Sequence, residues 1–359
     1  MSIASQTQDA AQAGGRNRSL TVAIVGVTGA VGQAFLEVLA ERSFPIGELK
    51  LLASPRSAGK TFTFQGKPHT VEALSEDSFE GVDVALFSAG GSISEQYAPL
   101  AVKAGATVID NSSAYRLAEG VPLVVPEVNA QAIEQAGIKL GEKPGIIANP
   151  NCSTIIMVVP TWPLHQKAGI QRMVVSTYQA ASGGGAAAMA ELEQQTREVL
   201  AGDEPTRDVF NQQYAFNLFS HDSPIGPEGY NKEEMKMLKE TRKIFGVGEA
   251  AMGVTATCVR VPVMRAHAES INLTFNQPLS EDEAREVLRQ APGVSILDER
   301  EANHFPTPLE ATGTDDVFVG RIRRDLSQPE GYGLDLFVCG DQIRKGAALN
   351  AVQIAEALV

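Results

Sequence analysis

Residues 19–42 limit what this chain can fold into more than any other stretch. Ser19-Leu20-Thr21-Val22-Ala23-Ile24-Val25 is a β-branched apolar run, as expected of a buried parallel strand. Gly26-Val27-Thr28-Gly29-Ala30-Val31-Gly32 follows at once, and Gln33–Arg42 then carries a helical pattern. Strand, glycine turn and helix in that order allow a tight turn and close backbone approach, with a pyrophosphate on the helix N-terminus. The G-x-x-G-x-x-G spacing is a variant of the dinucleotide fingerprint. It predicts an α/β chain that opens with a Rossmann-type parallel sheet.

The second strand, Glu48–Ala53, leads into Ser54-Pro55-Arg56-Ser57-Ala58-Gly59-Lys60. The fingerprint usually places an acid here to bind the adenosine ribose, and none is present. Arg56 and Ser57 stand where a 2′-phosphate would lie, which favours NADP over NAD, a solvated basic loop being the alternative. Val82–Phe87 is another buried strand, and Ser88-Ala89-Gly90-Gly91-Ser92 after it are small residues where a doubly wound sheet admits a ligand. The helix-like 93–105 precedes the strand Thr107–Asp110. Asn111-Ser112-Ser113-Ala114-Tyr115-Arg116 is a polar loop whose arginine suits phosphate or carboxylate, or else a surface salt bridge. Residues 121–126 and 145–148 then carry the sheet forward.

The second informative stretch is Ala148-Asn149-Pro150-Asn151-Cys152-Ser153-Thr154, a polar turn opening onto the apolar Ile155–Val159. A cysteine at a helix start meets unpaired N–H groups, which are expected to lower its pKa and to stabilise an oxyanion on a carbonyl it attacks. An inert buried thiol is the plain alternative. Cys258 and Cys339 fall in strand-like segments and read as core. Three cysteines so far apart give no disulfide framework and no zinc spacing, so no metal is expected.

Past Cys152 the pattern changes. Met173–Gln179 reads as a strand ending in Ala180-Ala181-Ser182-Gly183-Gly184-Gly185, and 186–200 as a helix. Residues 202–231 are a long irregular segment, of the kind that is usually functional or lies at an interface. A helix begins at Lys232, with Met235 and Leu238 inward and Glu233 and Lys236 sharing a face. Thr255–Val261 and His267–Phe275 are strands. Arg260 and His267 would point to opposite faces of one continuous strand, so a shared site needs a bend, for which Pro262 is placed. A helix over 281–290, strands over 317–323 and 334–339 and a last helix from about 346 complete the chain.

With 359 residues, 43% of them apolar, the chain has the size of about two domains. A net charge of −13 argues against nucleic acid or an anionic membrane as partner, and leaves any anionic substrate to locally gathered cations. No apolar stretch approaches the roughly 20 residues that span a bilayer. Residues 1–18 read as a flexible tail without the apolar core of a secretory signal, so cytoplasm is the expected compartment.

Taken together, several motifs resemble the aspartate-β-semialdehyde dehydrogenases. They are Gly26-x-Thr28-Gly29-x-x-Gly32, Asp110 to Arg116, Asn149 to Thr154, Gln179 with Ser182-Gly183, Glu233-Glu234-x-Lys236, and Cys258-Val259-Arg260 with His267 seven residues on. The resemblance runs from about residue 19 to the last. It implies an NADP-binding Rossmann domain over 19–151, a catalytic and dimer-forming α+β domain over 152–343, and a helix from 344 returning to the cofactor domain. It also implies a homodimer or a dimer of dimers. The implied reaction converts L-4-aspartyl phosphate to L-aspartate 4-semialdehyde, on the route to lysine, methionine and threonine. Cys152 would be the nucleophile, His267 the acid/base and Gln179 an orienting group. Arg260 would grip the α-carboxylate, Glu233 (or Glu234) the ammonium, and Arg116 and Lys236 the phosphate. Gly26, Thr28, Gly29, Ala30, Val31, Gly32, Arg56, Ser57, Ser88, Ser182, Gly183 and Asn350 would line the cofactor.

Two other readings compete. N-acetyl-γ-glutamyl-phosphate reductases share the fold and the cysteine chemistry, but their cysteine is typically followed by Tyr-Pro, and their substrate has no free ammonium for an acidic helix to meet. A non-catalytic NADP-binding redox sensor accounts for the glycine turn and the thiol, yet has no use for Arg116, Lys236, Arg260 and His267 together.

Overall fold

The computed structural model describes residues 19–359; the tail read over 1–18 lies outside them. Two sheets of seven strands organise the described residues. The first is built from β1 (Leu20–Val25), β2 (Ile46–Ala53), β3 (Thr61–Phe64), β4 (Lys67–Ala73), β5 (Val84–Phe87), β6 (Thr107–Asp110) and β7 (Ile146–Ala148). Its order is β3-β4-β2-β1-β5-β6-β7, parallel throughout except where β3 pairs antiparallel with β4. Chain order reverses on either side of β1, so the crevice beyond the carboxyl ends of β1 and β5 is the ligand edge of a doubly wound sheet.

The second sheet is mixed. It contains β8 (Ile170–Gln179), β9 (Phe219–Ser220), β10 (Gly253–Arg260), β11 (His267–Phe275), β12 (Val294–Ile296), β13 (Val317–Arg324) and β14 (Gly333–Gly340), in the order β12-β13-β14-β11-β8-β10-β9. Ten α-helices are found among the described residues: α1 (Ala30–Glu41), α2 (Gly91–Lys103), α3 (Pro126–Asn129), α4 (Gln131–Gln135), α5 (Cys152–Ala168), α6 (Ala186–Ala201), α7 (Lys232–Phe245), α8 (Glu281–Arg289), α9 (Pro308–Ala311) and α10 (Leu349–Glu356). None is long and apolar enough to cross a membrane.

Each sheet has its own core, and α5 and α10 tie the two together. Ile155, Ile156 and Val159 of α5 bury against Val175, Ile271 and Leu336 of the second sheet. Leu349, Val352 and Ile354 of α10 return to Leu20, Ile24 and Leu51 of the first. The last helix therefore closes over the opening sheet, as the resemblance implied.

Some local expectations need correction. The inner face of α7 is Met237, Thr241 and Ile244, whereas Met235 and Leu238 are only half-buried; the two buried carboxylates Glu233 and Glu234 hid that face from an apolar pattern. Residues 121–126 contribute a single bridge, Leu123 to Ala148, rather than a strand. The last helix starts as a π-turn over Arg344–Ala348 before becoming α-helical. Cys258 and Cys339 are buried in strands, as read.

Candidate active site

The cysteine turn is held by its own cap. Asn151 precedes α5, and its Oδ1 accepts the N–H groups of Ser153 at 3.1 Å and Thr154 at 3.3 Å. That occupies first-turn donors the sequence reading left free for an oxyanion. The N–H of Cys152 itself has no partner among the described residues and is the donor that remains. Cys152 is half-buried. Burial, reinforced by Glu233, pushes its thiol up to about 11, against the pull of Arg116, Lys236 and Arg260. The lowered pKa expected from the helix start is thus overturned, because desolvation of the thiolate outweighs the cations.

Three strand ends meet beside it. Gln179, the last residue of β8, pairs in register with Arg260, the last of β10. On the other side β11 runs antiparallel to β8, with Ala268 opposite Tyr178, which sets His267 beside Gln179 on the same face. Arg260 and His267 do not share a strand. The connection 261–266, with Pro262 in it, passes over the end of β8, so the two residues flank Gln179. Gly183 fits between them: a Cβ there would lie 3.0 Å from an Arg260 guanidinium nitrogen and 3.1 Å from His267 Nε2. Ala181 and Ser182 donate their N–H groups to Val263 and Met264 at 2.8 and 3.0 Å, stitching the glycine turn to that connection.

His267 is fully buried, and its Nδ1 accepts the N–H of Ala180 at 3.0 Å. The proton of the neutral ring is therefore on Nε2, which has no partner. Burial, together with Arg260, pushes its pKa down to about 3. The ring is neutral at cellular pH and presents an N–H donor rather than a group titrating near the ordinary 6.5.

Glu233 is the hub. Its Oε1 accepts from Asn151 Nδ2 at 2.8 Å and from Gln179 Nε2 at 3.2 Å, and its Oε2 accepts from Lys236 Nζ at 2.9 Å. Desolvation opposes its charge, yet Lys236, His221 and Asn151 outweigh that and hold the carboxyl well below the usual range. Glu234 is occupied elsewhere: it closes the capping box on Asn231 and accepts the N–H of Cys258 at 3.1 Å. Arg116 is buried and donates to Asn149 O, Glu240 Oε1 and Asn111 O at 2.9, 3.1 and 2.8 Å. Glu240 also accepts the N–H of Asn151 at 2.6 Å, so Arg116 and the cysteine turn share one carboxylate.

The cofactor loops meet at the sheet's ligand edge. A Cβ on Gly26 would lie 2.3 Å from Ser88 O, and one on Gly32 would lie 2.2 Å from Gly26 O, so only glycines allow this turn. Gly29 precedes α1 with no side-chain cap, while Thr28, Ala30 and Val31 are partly accessible. Arg56 and Ser57 form a short 3-10 turn at the end of β2, and Arg56 is exposed without a partner among the described residues. Ser182 Oγ is hydrogen-bonded by Gln342. Asn350 is fully buried and donates to Val124 O and Asn149 Oδ1 at 3.0 and 2.6 Å, so here it braces the cysteine turn.

Several contributors went unread. The irregular stretch supplies Asp222, which accepts from Arg260 Nε at 3.1 Å, and Phe210, whose ring lies 5.5 Å from the Arg260 guanidinium. It also supplies Tyr214, whose hydroxyl donates to Gln179 O at 3.3 Å, and His221, 4.0 Å from Glu233. Its length was the signal. Glu191 and Gln195 of α6 order it by accepting N–H groups of residues 208–210 and 214–215. No group of three or more His, Cys, Asp or Glu that could hold a metal ion occurs among the described residues.

A dinucleotide-type sheet with a thiol just past the end of its last strand, facing an amide, a guanidinium and an imidazole, defines a nicotinamide-dependent oxidoreductase. Known proteins narrow the class. Residues 21–136 match the family described as semialdehyde dehydrogenase, NAD binding domain, and residues 162–345 match its dimerisation domain. The chain is 54% identical over 340 residues to the aspartate-semialdehyde dehydrogenase of Synechocystis, covering 95% of this chain and 97% of that one. The crystal structure of aspartate semialdehyde dehydrogenase II from Vibrio cholerae, complexed with ASA, superposes with a TM-score of 0.89 at 45% identity, over 95% and 98% of the two chains. The Candida albicans aspartate semialdehyde dehydrogenase with NADP gives 0.73 at 27% identity, over 95% and 98%. The chain belongs to the aspartate-semialdehyde dehydrogenase family.

Proposed function

We propose that the chain interconverts L-4-aspartyl phosphate and L-aspartate 4-semialdehyde, using NADP(H) and inorganic phosphate, through a thioester on Cys152. The observation that carries this is the network around the thiol: Asn151, Gln179, Glu233 and Lys236 joined by hydrogen bonds at the start of α5. The named relatives support it over the two rival readings.

The Cys152 thiol is protonated at neutral pH. Attack on the acyl phosphate forms the S–C bond, breaks the C–O bond and releases hydrogen phosphate, which carries the thiol's proton. The Cys152 N–H and the Nε2–H of His267 are the donors for the acyl oxygen as charge builds on it. NADPH, when bound, supplies the hydride that reduces the thioester. The alkoxide this leaves on Cys152 collapses to the aldehyde and a thiolate, and one proton taken from solvent restores the thiol. Three of the four lone-pair directions of Glu233 are occupied, leaving one on Oε2 for the substrate ammonium. Arg260 takes the α-carboxylate, and Arg116 and Lys236 take the phosphate.

The glycine cradle of residues 26–32 fits a pyrophosphate, and Arg56 with Ser57, in the absence of an acid at the end of β2, fits a 2′-phosphate, supporting NADP over NAD. We assign 19–151 with 344–359 to the cofactor domain and 152–343 to the catalytic and dimerisation domain. The exposed Phe216, Leu218 and Ile225 support a homodimer, or a dimer of dimers. We place the enzyme in the cytoplasm.

The test is phosphate-dependent NADPH formation from L-aspartate semialdehyde, with wild type beside Cys152→Ala. Turnover that needs phosphate and disappears in the variant is expected. Turnover with N-acetylglutamate semialdehyde instead would overturn the substrate, and NADPH binding without turnover on either aldehyde would overturn the catalytic reading.

A further inference from the structure

A cavity of about 220 Å³ adjoins the Glu233 network. Its lining includes Arg116, Lys232, Lys236 and Lys239 against one carboxylate, Glu240. That carboxylate is already engaged by Arg116 and by the N–H of Asn151. Lys232, Lys236 and Lys239 are spaced i, i+4, i+7, which sets all three on one face of α7. Lys236 is half-buried with its ammonium on Glu233. Lys232 and Lys239 are exposed, and neither ammonium has a hydrogen-bond or ion-pair partner among the described residues. The charge is therefore uncompensated at the mouth and compensated inside.

This arrangement matters because the chain as a whole carries −13 and repels phosphate dianions. We propose that Lys232 and Lys239 are steering residues. Their field gathers the phosphate-bearing dianion, acyl phosphate in one direction and inorganic phosphate in the other, into the cavity that leads to Arg116 and Lys236. This rests on the reading above that phosphate reacts at those two residues. Lys232 and Lys239 do not touch the reacting atoms. They act on capture, through a field that works over about one Debye length, roughly 8 Å at physiological salt.

The experiment compares wild type with K232Q/K239Q in the phosphate-dependent direction, at low and at high potassium chloride. A second variant, K139Q/K143Q, removes the same charge from the exposed turn before β7. In K232Q/K239Q, kcat/KM for phosphate is expected to fall about three- to tenfold at low salt, with the gap closing at high salt. The values of kcat, and of kcat/KM for the aldehyde, which has no net charge, stay at wild type. K139Q/K143Q keeps the wild-type kcat/KM for phosphate. The proposal is overturned if K232Q/K239Q keeps the wild-type value and salt slope, or if both variants lose equally, which would make it an effect of net charge alone. Failure of the underlying reading looks different: wild type itself would show no phosphate-dependent turnover, and steering would fall with it.

Discussion

Gly346 packs directly on Cys152. A Cβ built on the glycine would lie 2.9 Å from the cysteine Cβ and 3.3 Å from its Cα, with Gln342 Cβ at 3.2 Å. The contact is made by the π-turn of Arg344–Ala348, whose wider winding puts the Gly346 N–H on Asp341 O at 3.0 Å.

Gly346→Ala therefore forces the nucleophile or the π-turn to move. We expect kcat to drop at least about tenfold, since small displacements at a reacting centre are costly. The melting temperature should fall by only a few degrees. Wild-type kcat in the alanine variant would show that the turn gives way without disturbing the thiol.

Glu233 and Glu234 are adjacent and both buried, but they do different work. Glu234→Gln weakens the capping box and the bond to the Cys258 N–H, costing about 1–3 kcal/mol of stability, with KM for the aldehyde retained. Glu233→Gln should leave the fold intact and lower kcat/KM by about a hundredfold or more, because the amide oxygen can still serve Asn151 and Gln179 while the Oε2 acceptor and the charge that hold Lys236 are replaced by an NH2 donor. Urea midpoints and steady-state kinetics on both variants separate the roles.

Arg56 is exposed at the end of β2 with no acid near it in sequence. Arg56→Ala should raise KM for NADP at least about tenfold and leave KM for NAD nearly unchanged, as expected for loss of a charge-assisted phosphate contact. Equal losses for both cofactors would remove the 2′-phosphate assignment.

Glu269 lies two residues past His267 on the same face of β11, fully buried, with neither carboxyl oxygen partnered. Burial raises its pKa well above the ordinary 4.5. The folded protein keeps a proton that the unfolded chain gives up, so this group's stabilising contribution is complete in acid and is lost as pH rises. Glu269→Gln has no such loss. Its stability relative to wild type should climb by up to about 1.4 kcal/mol per pH unit as pH rises above the ordinary carboxyl range. A difference in urea midpoint that ignores pH would mean that Glu269 is ionised in the folded protein.

Legibility followed distance along the chain. The turn over residues 26–32 and the start of α5 could be read because strand, glycines and cap act within a few residues of one another. The thiol and imidazole pKa values could not, since burial by remote segments sets both and, for the thiol, opposes the local expectation. The face of α7 was misread because it buries carboxylates whose partners lie far off, at Asn151, Gln179 and Cys258. Asn350 was named from the resemblance as lining the cofactor, and its bond to Asn149 was not legible because it belongs to the way the last helix returns to the first sheet. The split of Arg260 and His267 to either side of β8 follows from strand order, which the pattern of single strands does not contain.

The return of α10 also orders events in time. Cys152 is translated before the midpoint of the chain, but its wall at Gly346 and its brace at Asn350 come near the end. Any nascent chain shorter than that lacks this wall and this brace, even where Glu233, Arg116 and Arg260 have already gathered around the thiol. The surroundings of the nucleophile are therefore completed by the last helix to be made.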